Sequence, residues 1–183
     1  FGYDQEKMIL QDISFSSKPG EKICICGENG SGKSTLLRVL TGAFQPYQGT
    51  ITFDNIPLNN YDLNSLRSQT GVLFGVQDIF EGTLMENITM GDLEIPLDRI
   101  MELAEKIGLS EFFESEKEGL NLRLHPMGKK LSRKITHRIL LLRALVHQPR
   151  LLLLEDPWLG LEHAEAEKIK HFLLHEMKQA TMI

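Results

Sequence analysis

The spacing of apolar positions changes several times along the chain, and each change marks an element. Ile23-Cys24-Ile25-Cys26 is a short apolar run that ends on the glycine-rich segment Gly27-Glu28-Asn29-Gly30-Ser31-Gly32. A helical pattern follows from Lys33 to Thr41, and Gly42 is placed to end it as the residue beyond the C-cap. This order predicts strand, glycine loop, helix. Gly49-Thr50-Ile51-Thr52-Phe53 alternates with period two, which predicts a strand of an antiparallel sheet. Asp62 to Gln69 reads as a short helix and Thr70 to Phe74 as another strand.

From Thr83 to Val146 the period is mostly helical. Leu97, Ile100, Leu103, Ala104 and Ile107 share one face, with Pro96 before them and Gly108 after. Thr136 to Val146 is a second, strongly apolar helix. Leu151 to Leu154 is then a four-residue apolar run between Pro149 and Pro157, the pattern of a strand buried on both faces. Glu162 to Met177 resumes a helical period, and Thr181-Met182-Ile183 reads as the first half of an apolar strand. The layout predicts a single α/β domain over residues 1–183. Residues of about 1–82 and 144–183 form its core with a small β subdomain, and 83–143 form an inserted helical subdomain. The start at Phe1 and the stop inside a strand suggest a piece of a longer protein.

Composition narrows the function classes. With 42% hydrophobic and 25% charged residues the chain has an ordinary globular balance. A net charge of −5 gives no basic face for nucleic acid. No apolar stretch approaches the ~20 residues that span a bilayer, and the segment reads as soluble by itself. Cys24 and Cys26 fall on one face of a strand without further ligands nearby, so they read as buried thiols of a core strand in a reducing, cytosolic setting.

The chemistry lies in the glycine loop. Residues 27–34, GENGSGKS, match G-x-x-x-x-G-K-[ST] between a predicted strand and a predicted helix. Gly27, Gly30 and Gly32 permit a tight backbone whose N–H groups, from Asn29 and Ser31 to Thr35, face phosphate oxygens at a helix N-terminus. Lys33 should reach the β- and γ-phosphates, and the Ser34 hydroxyl should ligate Mg²⁺. The guanine-reading N-K-x-D of a GTPase is absent from the sequence.

The remaining landmarks resemble those of the ABC ATPase family, exporter type, along essentially the whole chain. Leu66-Arg67, then Phe80-Glu81-Gly82-Thr83 and Glu86-Asn87-Ile88, look like the exporter pattern LR…LF-x-GT…ENI. Leu131-Ser132 stands at the start of the signature LSGGQ, and Arg138 with Arg143-Ala144-Leu145 matches the helix after it. Leu151 to Leu154 is similar to the Walker B strand. Tyr3 lies where the family places an adenine-stacking aromatic. The resemblance implies a P-loop NTPase (RecA-like) core with a small antiparallel β subdomain and an inserted α-helical subdomain. It also implies ATP and Mg²⁺ as ligands, with Glu155 beside Ser34 on the metal.

Several positions depart from the family pattern. Glu155-Asp156 replaces Asp-Glu, so Asp156, the candidate general base, is one methylene short. Leu131-Ser132-Arg133-Lys134-Ile135 replaces LSGGQ. Ser132 can still meet a γ-phosphate, while Arg133 and Lys134 either offer charge to phosphate or mark a loop that has lost its role. The Mg²⁺-contacting glutamine falls on Gly75, with Gln77 two residues on as its substitute. The γ-phosphate-sensing histidine would lie beyond Ile183.

The resemblance implies an ATP-binding domain that closes head to tail on a second such domain, identical or not, and drives a transmembrane domain from the cytoplasmic face of the membrane. Weakened hydrolysis is expected. The alternatives are a nucleotide-binding switch with little turnover and, against the EGTLMENI segment, a soluble ABC protein outside transport.

Overall fold

The computed structural model describes residues 1–3, 8–44 and 48–183. Helix α1 (Lys33–Leu40) starts directly on the glycine loop and buries Leu37, Val39 and Leu40. Strands β1 (Thr52–Phe53) and β2 (Ile56–Pro57) pair antiparallel. They turn through Asp54 and Asn55 at φ 48° and 65°, residue types that tolerate the left-handed region. Helix α2 (Leu63–Ser68) is started by Asp62, whose carboxylate accepts the Ser65 N–H at 2.8 Å. Strand β3 (Thr70–Leu73) follows.

The next stretch is helical but contains one short antiparallel pair that the period did not announce: β4 (Gly82–Thr83) with β5 (Arg123–Leu124). Between them lie α3 (Leu84–Thr89), α4 (Leu97–Lys106) and α5 (Ser110–Ser115). Helix α6 (Arg133–Val146) begins three residues earlier than its apolar face suggests, because Ser132 caps it. Strand β6 (Leu151–Leu154), helix α7 (His163–His171) and strand β7 (Thr181–Met182) complete the order. Beyond α7 the helix widens into a π turn over Phe172–Glu176.

The central sheet is parallel, in the order β3-β6-β7. β6 pairs on one side from Thr70↔Leu151 to Leu73↔Leu154 and on the other at Leu151↔Thr181 and Leu152↔Met182. Its apolar run is explained by this central place: Leu152 packs with the larger cluster that includes Leu73, Ile88, Ile100, Leu103, Ile139 and Leu141, and Leu153 packs with Leu37 and Leu40 of α1. Helices therefore cover both faces, the layering of an α/β domain. Gly71 sets how closely α6 approaches, since a Cβ there would lie 2.0 Å from the Ala144 carbonyl oxygen. Among the described residues no helix is long and apolar enough to cross a membrane.

Two expectations are corrected. The run Ile23–Cys26 is not an assigned strand. It meets the sheet at a single parallel bridge, Lys22↔Met182, with the Ile23 N–H donating to Met182 at 2.8 Å. Residues 24–26 lie past that last paired position. Cys24 and Cys26 are also exposed rather than buried, and their Sγ atoms lie 3.5 Å apart. The alternation did place them on one face, but no described element covers that face.

Candidate nucleotide site

The glycine loop wraps its own lysine. Lys33 Nζ donates to the carbonyl oxygens of Gly27 at 2.8 Å and Glu28 at 2.7 Å, and lies 3.4 Å from Ser31 Oγ. A primary ammonium offers three donors, and here they gather on loop oxygens at the mouth of α1. Gly32 occupies the N-cap at φ 93°, and a Cβ there would lie 2.9 Å from Leu10 and 3.1 Å from Ile9, so the loop passes where only glycine fits. Among the described residues no side chain caps α1. The N–H groups of its first turn are thus left for an acceptor, with the favourable end of the helix dipole behind them.

The loop meets the sheet through Ser34 and Glu155, which are 121 residues apart in sequence. The Ser34 hydroxyl donates to Glu155 Oε1 at 2.5 Å. Glu155 Oε2 accepts the Gly75 N–H at 3.1 Å, and the Glu155 N–H donates to the Leu73 carbonyl at 2.8 Å. The carboxylate is thereby fixed where β3 and β6 end, at the carboxyl edge of a parallel sheet, where such folds bind ligands. A serine hydroxyl and a carboxylate in contact form a hard oxygen pair, the donor set that Mg²⁺ takes beside substrate phosphates.

Gly75 contributes its backbone N–H where the family pattern has a glutamine side chain. Gln77, the expected substitute, is used locally: its amide oxygen accepts the Phe74 N–H at 2.9 Å, and its own N–H donates to the Phe74 carbonyl at 3.1 Å. Asp156 follows Glu155 directly, exposed and at φ 47°. Tyr3 is brought to the start of α1, its hydroxyl 3.3 Å from Thr35 Oγ1. Its ring stands edge-on to Phe1 and to Phe44, both with centroids at 5.4 Å, and is 53% exposed. Phe44 was not singled out from the sequence; it belongs to no motif, and only its place four residues past α1 links it to the site.

The signature segment is held inside the chain. The Ser132 hydroxyl accepts the Ile135 N–H at 3.2 Å and so caps α6. Lys134 Nζ and Arg138 Nη2 both reach Glu165 Oε1 on α7, at 2.7 and 2.8 Å. Lys134 is therefore tied to a carboxylate, while Arg133 is exposed and forms no ion pair among the described residues. Among the described residues no hydrogen bond joins Ser132 to the glycine loop or Glu155.

The exporter-like segments are structural. Thr83 and Glu86 form a reciprocal capping box on α3. Asn87, fully buried, accepts the Phe80 N–H at 3.1 Å and donates to the carbonyls of Phe80 and Thr83, each at 3.0 Å. Arg143 then donates to the Asn87 carbonyl at 2.7 Å and side-chain oxygen at 3.0 Å. These bonds fix the exit of the loop that begins at Gly75.

Hydrogen bonds from Lys134 and Arg138 hold Glu165 well below the usual carboxylate range, at about 2. A depressed folded pKa means that the pair stabilises the fold above the unfolded value near 4.5 and that this contribution fades as pH falls toward 2. Glu165→Gln is expected to cost about 1–2 kcal/mol at pH 7, less than the full shift converts to because the carboxylate is partly exposed. Thermal denaturation at pH 7 and pH 3 checks it: the gap between wild type and variant should narrow at the lower pH.

The family model described as ABC transporter matches residues 10–159. The chain is 32% identical, over its full length, to the glutathione/L-cysteine transport system ATP-binding/permease protein CydC of Haemophilus influenzae, of which it covers 32%. It is 30% identical, again over its full length, to the multidrug resistance ABC transporter ATP-binding and permease protein of Lactococcus lactis, covering 31% of it. Among solved structures, a bacterial Atm1-family ABC exporter with ATP bound superposes over the whole chain with a TM-score of 0.90 at 26% identity, the chain covering 32% of that protein. The chain spans about a third of the length of the curated relatives it matches.

Proposed function

Since this chain belongs to the ABC transporter family, we propose that it is the ATP-binding domain that powers an exporter-like transporter, with slow hydrolysis. The observation that carries this reading is the Ser34–Glu155 contact at the mouth of the glycine loop. Lys33 and the backbone from Asn29 to Thr35 hold the phosphates, Tyr3 stacks on adenine, and Ser34 with Glu155 holds Mg²⁺, which neutralises phosphate charge when bound. Asp156 is the candidate base that takes a proton from the attacking water. The relatives' names, which join an ATP-binding part to a permease, support a transmembrane domain as partner, in the parent chain or as a separate subunit. A second ATP-binding domain, identical or not, completes the site at the cytoplasmic face of the membrane.

A second reading, a nucleotide-responsive switch that scarcely hydrolyses, is favoured by the tie between Lys134 and Glu165, which keeps one signature cation off phosphate. Phosphate release by the full-length protein separates the two: sustained turnover supports the pump, and binding without turnover supports the switch. For the nucleotide site itself, Ser34→Ala should weaken Mg-ATP binding about tenfold, the worth of roughly one charge-assisted contact, while leaving binding of ATP in EDTA unchanged. Titration with a fluorescent ATP analogue reads both. Equal losses with and without Mg²⁺ would remove Ser34 from the metal.

A further inference from the structure

One carboxylate on α7 joins three parts of the chain. Glu165 Oε1 accepts from Lys134 Nζ at 2.7 Å and pairs with Arg138 Nη2 at 2.8 Å, both on the first two turns of α6. Its other oxygen accepts the Glu162 N–H at 3.3 Å, and the Glu162 side chain accepts the Glu165 N–H in return. This reciprocal box starts α7. Arg138 extends the contacts to a third element, since its Nη1 donates to the Gly108 carbonyl just past α4 at 2.6 Å. The guanidinium lies flat against Gly108, where a Cβ would come within 3.4 Å of it.

The two cations are not equivalent. The Lys134 side chain is 35% exposed and can trade its partner for water. The Arg138 side chain is only 7% exposed, and among the described residues its buried Nε has no hydrogen-bond partner. A charge so enclosed needs a counter-charge beside it. Among the described residues Glu165 is the one carboxylate paired with it. Removing that charge leaves a cation unpaired inside the chain, and the nearest relief is movement of the first turns of α6. Ser132 sits on the end that moves, where its hydroxyl caps Ile135. The clasp's other end opens α7, directly after the segment that leaves Asp156. Two turns compact that segment: the Leu159 N–H donates to the Asp156 carbonyl at 3.0 Å and the Leu161 N–H to the Trp158 carbonyl at 3.1 Å.

We propose that Glu165 is a positioning residue for the signature segment: its carboxylate clasps the first turns of α6 to the start of α7, so that the direction of Ser132 is set by the segment that leaves Asp156. The use of that direction rests on the proposed meeting of residues 131–135 with a partner domain's nucleotide, whereas the clasp itself does not.

The test uses the full-length protein with Glu165→Gln, Lys134→Met and the two together. Glutamine keeps an oxygen for the Glu162 N–H, so α7 stays capped while the charge that Arg138 needs is gone. Amide exchange, read by mass spectrometry, reports the two ends of the clasp separately. The peptide with Ile135 and Thr136, whose N–H groups both bond to Ser132, should exchange about tenfold faster in Glu165→Gln. The peptide with Glu162 should stay within about twofold. Lys134→Met should give about threefold, and the double variant should be no faster than Glu165→Gln, because partners in one clasp are not additive. For Mg-ATP, kcat should fall about tenfold in Glu165→Gln with KM within about twofold. Unchanged exchange at Ile135 in Glu165→Gln overturns the proposal. So do independent, multiplying effects of the two substitutions, or an acceleration spread evenly over the chain, which would mean that Glu165 only adds stability. An unchanged kcat beside faster Ile135 exchange also overturns it, since the direction of Ser132 would then not matter. A wild type without measurable turnover defeats the hydrolysis reading instead, and the exchange pattern still decides the clasp.

Discussion

Lys33→Ala should lower Mg-ATP affinity by roughly ten- to a hundredfold, the ~1.5–3 kcal/mol of hydrogen bonds made by a charged donor. The loop geometry sets this expectation. Lys33 Nζ already lies among the carbonyl oxygens of Gly27 and Glu28, so the ammonium needs only to exchange those acceptors for phosphate oxygens. Alanine keeps α1 intact, since it is the best helix former and the helix start is fixed by Gly32. The loss is therefore one of binding, not of folding. Titration with a fluorescent ATP analogue measures the affinity, and thermal denaturation without nucleotide confirms the fold. Equal affinity in wild type and variant would remove Lys33 from the phosphate site.

Much of this architecture was legible because local chemistry and global place agree. The apolar run Leu151–Leu154 between two prolines became the central strand, and the pattern Thr70–Phe74 became its parallel neighbour. The start of α1 directly after the glycine loop was legible too, since a glycine-rich turn ahead of a helical period leaves few other solutions. The failures came from contacts that no local pattern encodes. The pair β4–β5 joins residues about forty apart and contains only two residues in each strand, too few for a period to register. Ile23–Cys26 has the composition of a core strand, but pairing and burial depend on neighbours that composition does not specify. Glu165 carried no motif at all, yet it decides the fate of Lys134. Asn87 and Arg143 were visible as family landmarks, but their task, fixing a loop through the four hydrogen bonds of the Asn87 side chain, emerged only from the structure.

Asp156→Glu is expected to raise the turnover of the full-length transporter by about tenfold. The wild-type carboxylate is one methylene short of the family's base, and a misplacement of about 1 Å costs on the order of 10²-fold. Lengthening the side chain does not recover all of that. Position 156 is left-handed at φ 47°, where aspartate is tolerated better than glutamate, and the residual strain of roughly 1 kcal/mol takes back part of the gain. On the proposed reading the signature is the second restraint on rate. Lys134 is bound to Glu165, and Arg133 stands where a glycine would bring backbone to phosphate. In a homodimer both composite sites would carry both defects. Paired with a better-equipped domain, this chain's loop would meet a sound signature and lack only the base, so the gain from Asp156→Glu should be larger in a mixed dimer than in a homodimer. Phosphate release at saturating Mg-ATP measures each case. A flat response in both would place the limit in the signature, and Arg133→Gly with Lys134→Gly would then be the change that raises the rate. Wild-type homodimer turnover near the ~10 s⁻¹ median of enzymes would show that neither departure is a defect.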